Sequence, residues 1–525
     1  MSEAASSESR PAIRTFLVHG GILIGLATVL ERGLQFIANI LAARNAGEEN
    51  LGVYALAMQT AGFLASQASL GIGMVATRFS AEYPVDHPQN RAFIQRIAQL
   101  SLGLAMLASV LMLLLAWPMA HWFYNKPQFY RVLIITVVTA PAFVLLDAVR
   151  GLLLGLSYHR GLVILSAVLG ICMLLLMPWA AMRSPRWMLV AHASSAFISC
   201  FILYWIIRYK YGLRLFAVPT QAVPMSAMLR FGFFQLGSST AINLVMMTLM
   251  ALLLRYATPE QTMATTVLPV AYLLSLAFLL PCGFLWMLNL SLAYIPLFGF
   301  REVGYYNAAS SMRNLTTTVP GLLNQLTIGL MTRLSGDRFG GGNRVVLINC
   351  WLTAIFMIPV TAIMHVCVAW LLPLLYKGFH GAVQPASYLL SVALVHMISQ
   401  PAVNRLTVVS PRTVALIQVI WMVVALAVAL LLVPDMRASG VALSLLIAHS
   451  ISALLVPLGL RWNDCLPRHL MKLTIIGVSA AALPLFFFES QPVGLLHWSH
   501  LVILSLAGLM FTLVFVQYSE IRKYQ

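Results

Sequence analysis

Three arginines fall inside stretches apolar enough to cross a membrane: Arg32, Arg150 and Arg313. A charged group at membrane depth costs at least about 2.5–3.5 kcal/mol on insertion scales, so it normally faces a cavity or a partner. A guanidinium stays charged, and its planar fork of donors matches phosphate oxygens. The chemistry these residues suit is the holding of a phosphate-type anion in a wet passage. Polar side chains recur beside them at helical spacing. Glu31, Gln35 and Asn39 stand at i, i+4 and i+8, and His396, Gln400 and Asn404 repeat that pattern. Arg313, Thr317 and Asn324 share a face at i, i+4 and i+11, and Gln59, Ser66 and Gln67 form a weaker stripe. Such spacing stacks side chains on one side of a helix. A face of amides and hydroxyls suits sugar hydroxyls, but polar stripes also join membrane helices to one another; both readings stand.

The acids within spans are Glu31 and Asp147. Asp147 precedes Arg150 by three residues, which reads either as an intrahelical ion pair or as a proton- or cation-sensitive coupling site. Glu31 is the second coupling candidate; it and Arg32 are neighbours that do not share a face. Arg313 has no acid within one turn and is the strongest cargo candidate, with Arg32 and Arg150 beside it. Arg44 and Arg78 lie near span ends, as cargo contacts or as snorkelling anchors. The histidines at 19, 192, 365, 396 and 449 sit on apolar helices without an HExxH-like grouping and read as hydrogen-bonded packing residues. Six cysteines show no paired spacing and read as small buried hydrophobes. The sequence therefore implies no metal, no disulfide and no catalytic residue.

The elements that must position these groups are transmembrane helices. Hydrophobic residues make up 60% of the 525-residue chain and charged residues 9%, against roughly 25% charged in a soluble domain. The apolar runs are helix-length rather than short alternating segments, so an all-α polytopic protein is expected and a barrel is not. The net charge of +17 has no folded basic module to serve, which argues against nucleic acid; an excess of Lys and Arg on the cytoplasmic side accounts for it. Spans are expected at 15–43, 51–79, 98–119, 132–156, 161–181, 188–207, 231–254, 263–300, 304–332, 344–375, 382–404, 413–433, 438–460, 470–488 and 496–518. The run 263–300 is too long for one crossing. With Pro281 and Gly283 at its middle it reads as two short helices or a re-entrant hairpin, giving sixteen apolar helices. With both termini cytoplasmic, about two-thirds of the Lys and Arg residues fall in inner loops, as the positive-inside rule asks. Arg32 and Arg313 then lie in the outer half of the membrane and Arg150 toward the inner end of its helix. PQNRAFIQRI, in the loop Ser80–Ile97, is expected to form a short interfacial helix.

Two stretches repeat. Leu51–Tyr83 opens Gly52-Val-Tyr54-Ala-Leu-Ala57 and closes at Arg78-Phe-Ser; Val303–Asp337 opens Gly304-Tyr-Tyr306-Asn-Ala-Ala309 and closes at Arg333-Leu-Ser. Each is expected to be one long helix whose glycine allows close helix approach. An internal repeat in a membrane chain suggests two similar lobes with a site between them. The expected order is a tail 1–14, an N-lobe of six helices 15–207, a basic connector 208–230, a C-lobe 231–460 with an extra hairpin within 231–300, and a final helix pair 461–525.

The run Asn39-Ile-Leu-Ala-Ala-Arg44-Asn-Ala-Gly47-Glu-Glu-Asn-Leu-Gly52-Val-Tyr54, continuing to Leu70-Gly71 and Arg78-Phe-Ser-Ala-Glu-Tyr83, resembles the polysaccharide transport family. These are O-antigen and exopolysaccharide flippases of the superfamily that includes MATE exporters and the lipid II flippase. Val303–Ala309 resembles that family's eighth span, and Arg437-Ala-Ser-Gly440-Val-Ala its late Gly-x-Ala step. The resemblance implies a V-shaped pair of lobes with 12 or 14 spans, so a count of 14 to 16 brackets the expectation. It implies an undecaprenyl-pyrophosphate-linked oligosaccharide carried to the periplasmic leaflet of a bacterial inner membrane by alternating access. Expected partners are that lipid-linked cargo, membrane lipids, and polysaccharide polymerase and export machinery. No ATP site is expected, and no GxxxxGK[ST] occurs. Coupling to a sodium or proton gradient or to the membrane potential is the alternative. A MATE-like drug exporter would want more intramembrane carboxylates. A polymerase or ligase would want a sizeable outer loop carrying acids, and no carboxylate pair is arranged for acid–base work.

Overall fold

The computed structural model describes residues 4–80, 87–124, 126–212, 245–254, 300–318, 341–465 and 469–487, with isolated positions in 225–232, 320–324 and 506–514. The expected hairpin within 263–300 lies outside the described residues, as do nearly all of 496–518 and the far end of the 304–332 helix. The described residues form helices joined by short turns. Eight helices among them are long and apolar enough to cross a membrane. The first and last of these candidate spans are 45 and 51 residues long, each twice what one crossing of about 20 residues needs. Each breaks near its middle, at Gly47 (φ 76°) and at Arg437 (φ 51°).

The helices are α1 (Ala4–Ser69), α2 (Ile72–Ser80), α3 (Pro88–Pro118), α4 (Thr136–Gly155), α5 (His159–Ala181), α6 (Pro185–Tyr211), α7 (Phe300–Thr316), α8 (Gly341–Leu375), α9 (Val383–Val409), α10 (Pro411–Trp462) and α11 (Leu470–Phe487). Their ends follow local rules. Proline opens α3, α6 and α10, where its missing N–H is no loss. Gly212 closes α6 in the left-handed conformation.

Two expectations change. The stretch 51–79 is not one helix. It breaks at Leu70 and Gly71, both at positive φ (46° and 65°), because the Asp147 carboxylate caps the new helix α2 at Gly73 and lets the chain restart. PQNRAFIQRI is not a separate interfacial helix. The His87 ring accepts a hydrogen bond from the Gln89 N–H, and Pro88 starts a helix that runs without interruption to Pro118.

The chain divides by packing into two compact units: Met1–Ala46 with Val53–Met247, and Gly47–Gly52 with Thr248–Gln525. In the N-terminal unit α4 packs on α2, α3 and α6, and α5 pairs with α6. The α2–α4 contact depends on glycine: a methyl group on Gly151 would lie 2.8 Å from the Gly73 carbonyl carbon and 2.9 Å from the Ala76 Cβ. In the C-terminal unit α9 is the axis, touching α7, α8, α10 and α11. Of its apolar stretch 78% is buried, more than for any other candidate span among the described residues.

Candidate functional site

Each unit carries its own polar centre. In the N-terminal unit Glu31 of α1 forms an ion pair with Arg150 of α4, and the Ser166 hydroxyl of α5 donates to Glu31 Oε2 at 2.9 Å. Three helices thus meet on one carboxylate. Helix α4, which carries Arg150, packs on α6, which carries His192 and Cys200. The His192 ring is held by the Tyr54 hydroxyl at 3.0 Å and by the edge of Phe143. The Arg150 guanidinium pairs with Glu31 across the helices rather than with Asp147 along its own.

Asp147 makes a different contact. Its Oδ2 accepts the Gly73 N–H at 3.1 Å, at the start of α2, where a helix favours negative charge. Thr77 closes the same contact, donating toward the carbonyls of Gly73 (2.9 Å) and Gly151 (3.2 Å). Asp147 is exposed and lines a cavity of about 430 Å³ with Ser66, Ser69, Gly71, Met74 and Phe143. A broken helix beside a cavity is tolerated at membrane depth only where such a lining exists.

The other N-terminal candidates are dispersed. Arg32, Arg44 and Arg78 are exposed, with the Arg78 guanidinium 5.7 Å from the Phe79 ring centre, and Gln35 and Asn39 are half-buried. The stripe Glu31, Gln35, Asn39 turns its first member into the bundle.

In the C-terminal unit Arg313 is half-buried near the end of α7. It donates a hydrogen bond to Asn314 Oδ1 at 3.2 Å, and no carboxylate among the described residues pairs with it. Its helix packs on α9 and α10, which carry His396 and His449. The two imidazoles meet edge to face with centres 5.3 Å apart. His449 Nδ1 lies 2.9 Å from the Trp421 indole nitrogen and 3.0 Å from the Leu445 carbonyl oxygen: it accepts from the one or donates to the other according to the tautomer. Gln400 bonds Asn404 at 3.0 Å along α9. Of the stripe His396, Gln400, Asn404, the first member thus meets α10 and the other two bond each other along α9. Asn324 is buried and bonded by Asn349 at 2.9 Å, which makes it a helix-joining residue in this conformation.

The repeat has a structural meaning that spacing alone did not reveal. The Gly47–Gly52 corner and the start of α7 pack against each other reciprocally. A methyl group on Gly52 would lie 2.7 Å from the Phe300 carbonyl carbon, and one on Gly304 would lie 3.1 Å from that of Glu48. Each glycine thus meets the residue four before its repeat partner. Glu48 pairs with Arg301 beside this contact, Arg301 donates to the Tyr305 hydroxyl at 2.6 Å, and Glu302 lies 3.7 Å from Arg437 at the α10 break.

Sequence reasoning missed Ser166, His192, Trp421 and Gly73 as partners. A serine on an apolar helix or a glycine inside a run carries no signal of what it faces across the fold. The histidines were recognisable as hydrogen-bonded residues, though not their partners Tyr54, Ser391 and Trp421.

The helical fold is similar to that of proteins of known structure. A lipid II flippase, MurJ, in an inward closed conformation, superposes with a TM-score of 0.61 at 14% identity, covering 95% of this chain and 99% of that one. An inward-facing multidrug resistance MATE family transporter of the MOP superfamily gives 0.60 at 14% identity, covering 86% of this chain and 99% of that one. The MATE multidrug transporter DinF-BH gives 0.57 at 13% identity, covering 87% of this chain and 97% of that one. At these identities the likeness concerns the fold. No curated protein sequence matches. The profile described as "Polysaccharide biosynthesis protein" matches residues 17–328, more than half of the sequence. The chain belongs to the polysaccharide biosynthesis protein family, and its fold is that of the MATE and MurJ structures.

Proposed function

We propose that this protein is a flippase for a polyprenyl-pyrophosphate-linked oligosaccharide. It moves that cargo from the cytoplasmic to the periplasmic leaflet of a bacterial inner membrane by alternating access, for O-antigen, capsule or exopolysaccharide synthesis. The observation that carries the reading is Arg313: a guanidinium within a helical unit, without a carboxylate partner among the described residues, on a helix packed against those that carry His396, His449 and the amides Gln400 and Asn404. A fixed positive charge with spare donors suits a pyrophosphate, and the surrounding amides suit sugar hydroxyls. Arg150 is committed to Glu31 and contributes to structure before cargo. Arg32, Arg44 and Arg78 remain exposed groups that a phosphorylated headgroup can meet on its way.

Asp147 supports a coupling role beside this one. An exposed carboxylate on a cavity at a helix break is a place where a proton or a monovalent cation exchanges its bulk-water contacts for protein ones. The same carboxylate is what a cationic-drug exporter would offer, and that is the second reading.

The test is made in cells. Arg313→Ala, present in the membrane at normal amounts, is expected to abolish polymer export and to leave the lipid-linked glycan inside. Arg313→Lys is expected to rescue only partly, because an ammonium lacks the fork. Normal export by Arg313→Ala removes that residue from the mechanism, and export of a cationic dye in its place favours the second reading.

A further inference from the structure

We propose a second anion site in the C-terminal unit, centred on Arg405 near the end of α9 and taking a phosphate-class oxyanion. Arg405 is only 5% exposed. Among the described residues its Nε has no hydrogen-bond partner, and no ion pair includes it. Arginine does not discharge by losing its proton. A buried guanidinium nitrogen without an acceptor is disfavoured, and an anion would supply one.

The surroundings reinforce that demand. Cys350 of α8 meets the backbone of Ala402, and Ile398 lies against Gly477 of α11. Helices α8 and α9 run antiparallel through the short turn His380–Ala382, so Arg405, just past Ala402, stands level with the early turns of α8, which begins at Gly341. On the other side it stands level with the start of α11 at Leu470. Helix starts present unpaired N–H groups and partial positive charge. Among the described residues the buried Nδ2 of Asn404 has no acceptor. Asn343, in the first turn of α8, has a buried amide oxygen with no donor among them, and a flip of the amide exchanges that oxygen for a donor. A cation is excluded by this charge. The planar fork favours the oxygens of a phosphate over a spherical halide. An anionic phospholipid headgroup and free phosphate share that chemistry. The site stands on its own residues and does not depend on the role given to Arg313.

The test uses the full-length protein purified in neutral detergent. Its thermal midpoint is followed in two series: sodium phosphate against sodium chloride at equal ionic strength, and phosphatidylglycerol against phosphatidylcholine in mixed micelles. The wild type is expected to show a saturable rise of about 3 °C or more in at least one series. That rise should be lost in Arg405→Gln and reduced in Arg405→Lys. A response confined to phosphatidylglycerol assigns the site to a lipid headgroup, and a response to phosphate assigns it to the free ion. The proposal is overturned if the wild type shows no saturable response in either series, or if Arg405→Gln responds like the wild type. It is equally overturned if Arg405→Met is more stable than the wild type even at saturating anion, because Arg405 is then an uncompensated buried charge. Should Arg405→Gln not fold, the wild-type titrations and Arg405→Lys still decide.

Discussion

The reciprocal contact between Gly52 and Gly304 makes an unusually specific prediction. In Gly52→Ala the new methyl would stand 2.7 Å from the Phe300 carbonyl carbon and 3.0 Å from the Gly304 nitrogen. Carbon atoms in ordinary contact sit about 3.5–4.0 Å apart, so the two backbones must part by about 1 Å. Neither can turn aside, since both obstacles are main chain. Overpacking of this kind costs about 1–3 kcal/mol, and the upper end applies here. Replacing glycine by alanine within a helix returns about 1 kcal/mol. The net loss is about 2 kcal/mol for Gly52→Ala and somewhat less for Gly304→Ala, whose methyl would lie 3.1 Å from the Glu48 carbonyl carbon. Because one separation relieves both clashes, the double variant should lose about as much as Gly52→Ala alone, not the sum of the two. The assay is thermal unfolding of the purified protein, with Gly103→Ala as control, since a methyl group there meets nothing within 4 Å. Separation of the backbones also loosens Glu48 from Arg301. Additive losses in the double variant would refute the shared contact, and so would a wild-type midpoint in Gly52→Ala.

Two further perturbations probe the N-terminal unit. Glu31→Ala leaves Arg150 without its carboxylate; a fully buried pair broken on one side costs about 3–5 kcal/mol. Arg150 is 36% exposed, which solvent screening reduces to about 2 kcal/mol. Unfolding measurements should show that loss, with the Glu31→Ala/Arg150→Ala double variant recovering part of it; equal stability of Glu31→Ala and wild type contradicts the pair. Asp147→Asn keeps an oxygen to accept the Gly73 N–H, so stability should change by less than about 1 kcal/mol. Transport by that variant should lose or shift its dependence on pH or sodium, and an unchanged dependence leaves Asp147 as the cap of α2 alone.

How much of this was legible follows a physical division. Helix type and length come from apolar runs, and those were readable because a bilayer admits few alternatives. Gly52 and Gly304 were readable as close-approach positions from the repeat, but not as each other's partners. The proline that opens α3 was visible beside His87, yet the loop-like composition of Ser80–Ile97 suggested a separate short helix. The break at Leu70 was hidden, since leucine rarely takes positive φ and the run reads as uninterrupted apolar helix. Its cause, Asp147, lies 74 residues beyond the Gly73 it caps. Glu31 and Arg150 are separated by 119 residues, and no local pattern distinguishes a carboxylate that pairs across helices from one that faces water. Arg313 was singled out because no acid lies near it in sequence, and among the described residues no carboxylate pairs with it in space.

The most direct measurement is leaflet-to-leaflet movement of a labelled polyprenyl-pyrophosphate oligosaccharide in vesicles reconstituted with the purified protein. The wild type is expected to move the label and Arg313→Ala to fail, while Arg313→Ala keeps the wild-type unfolding midpoint within about 1 kcal/mol. Movement by Arg313→Ala at the wild-type rate, or none by the wild type across imposed proton and sodium gradients, would contradict the assignment of that arginine to the phosphorylated cargo.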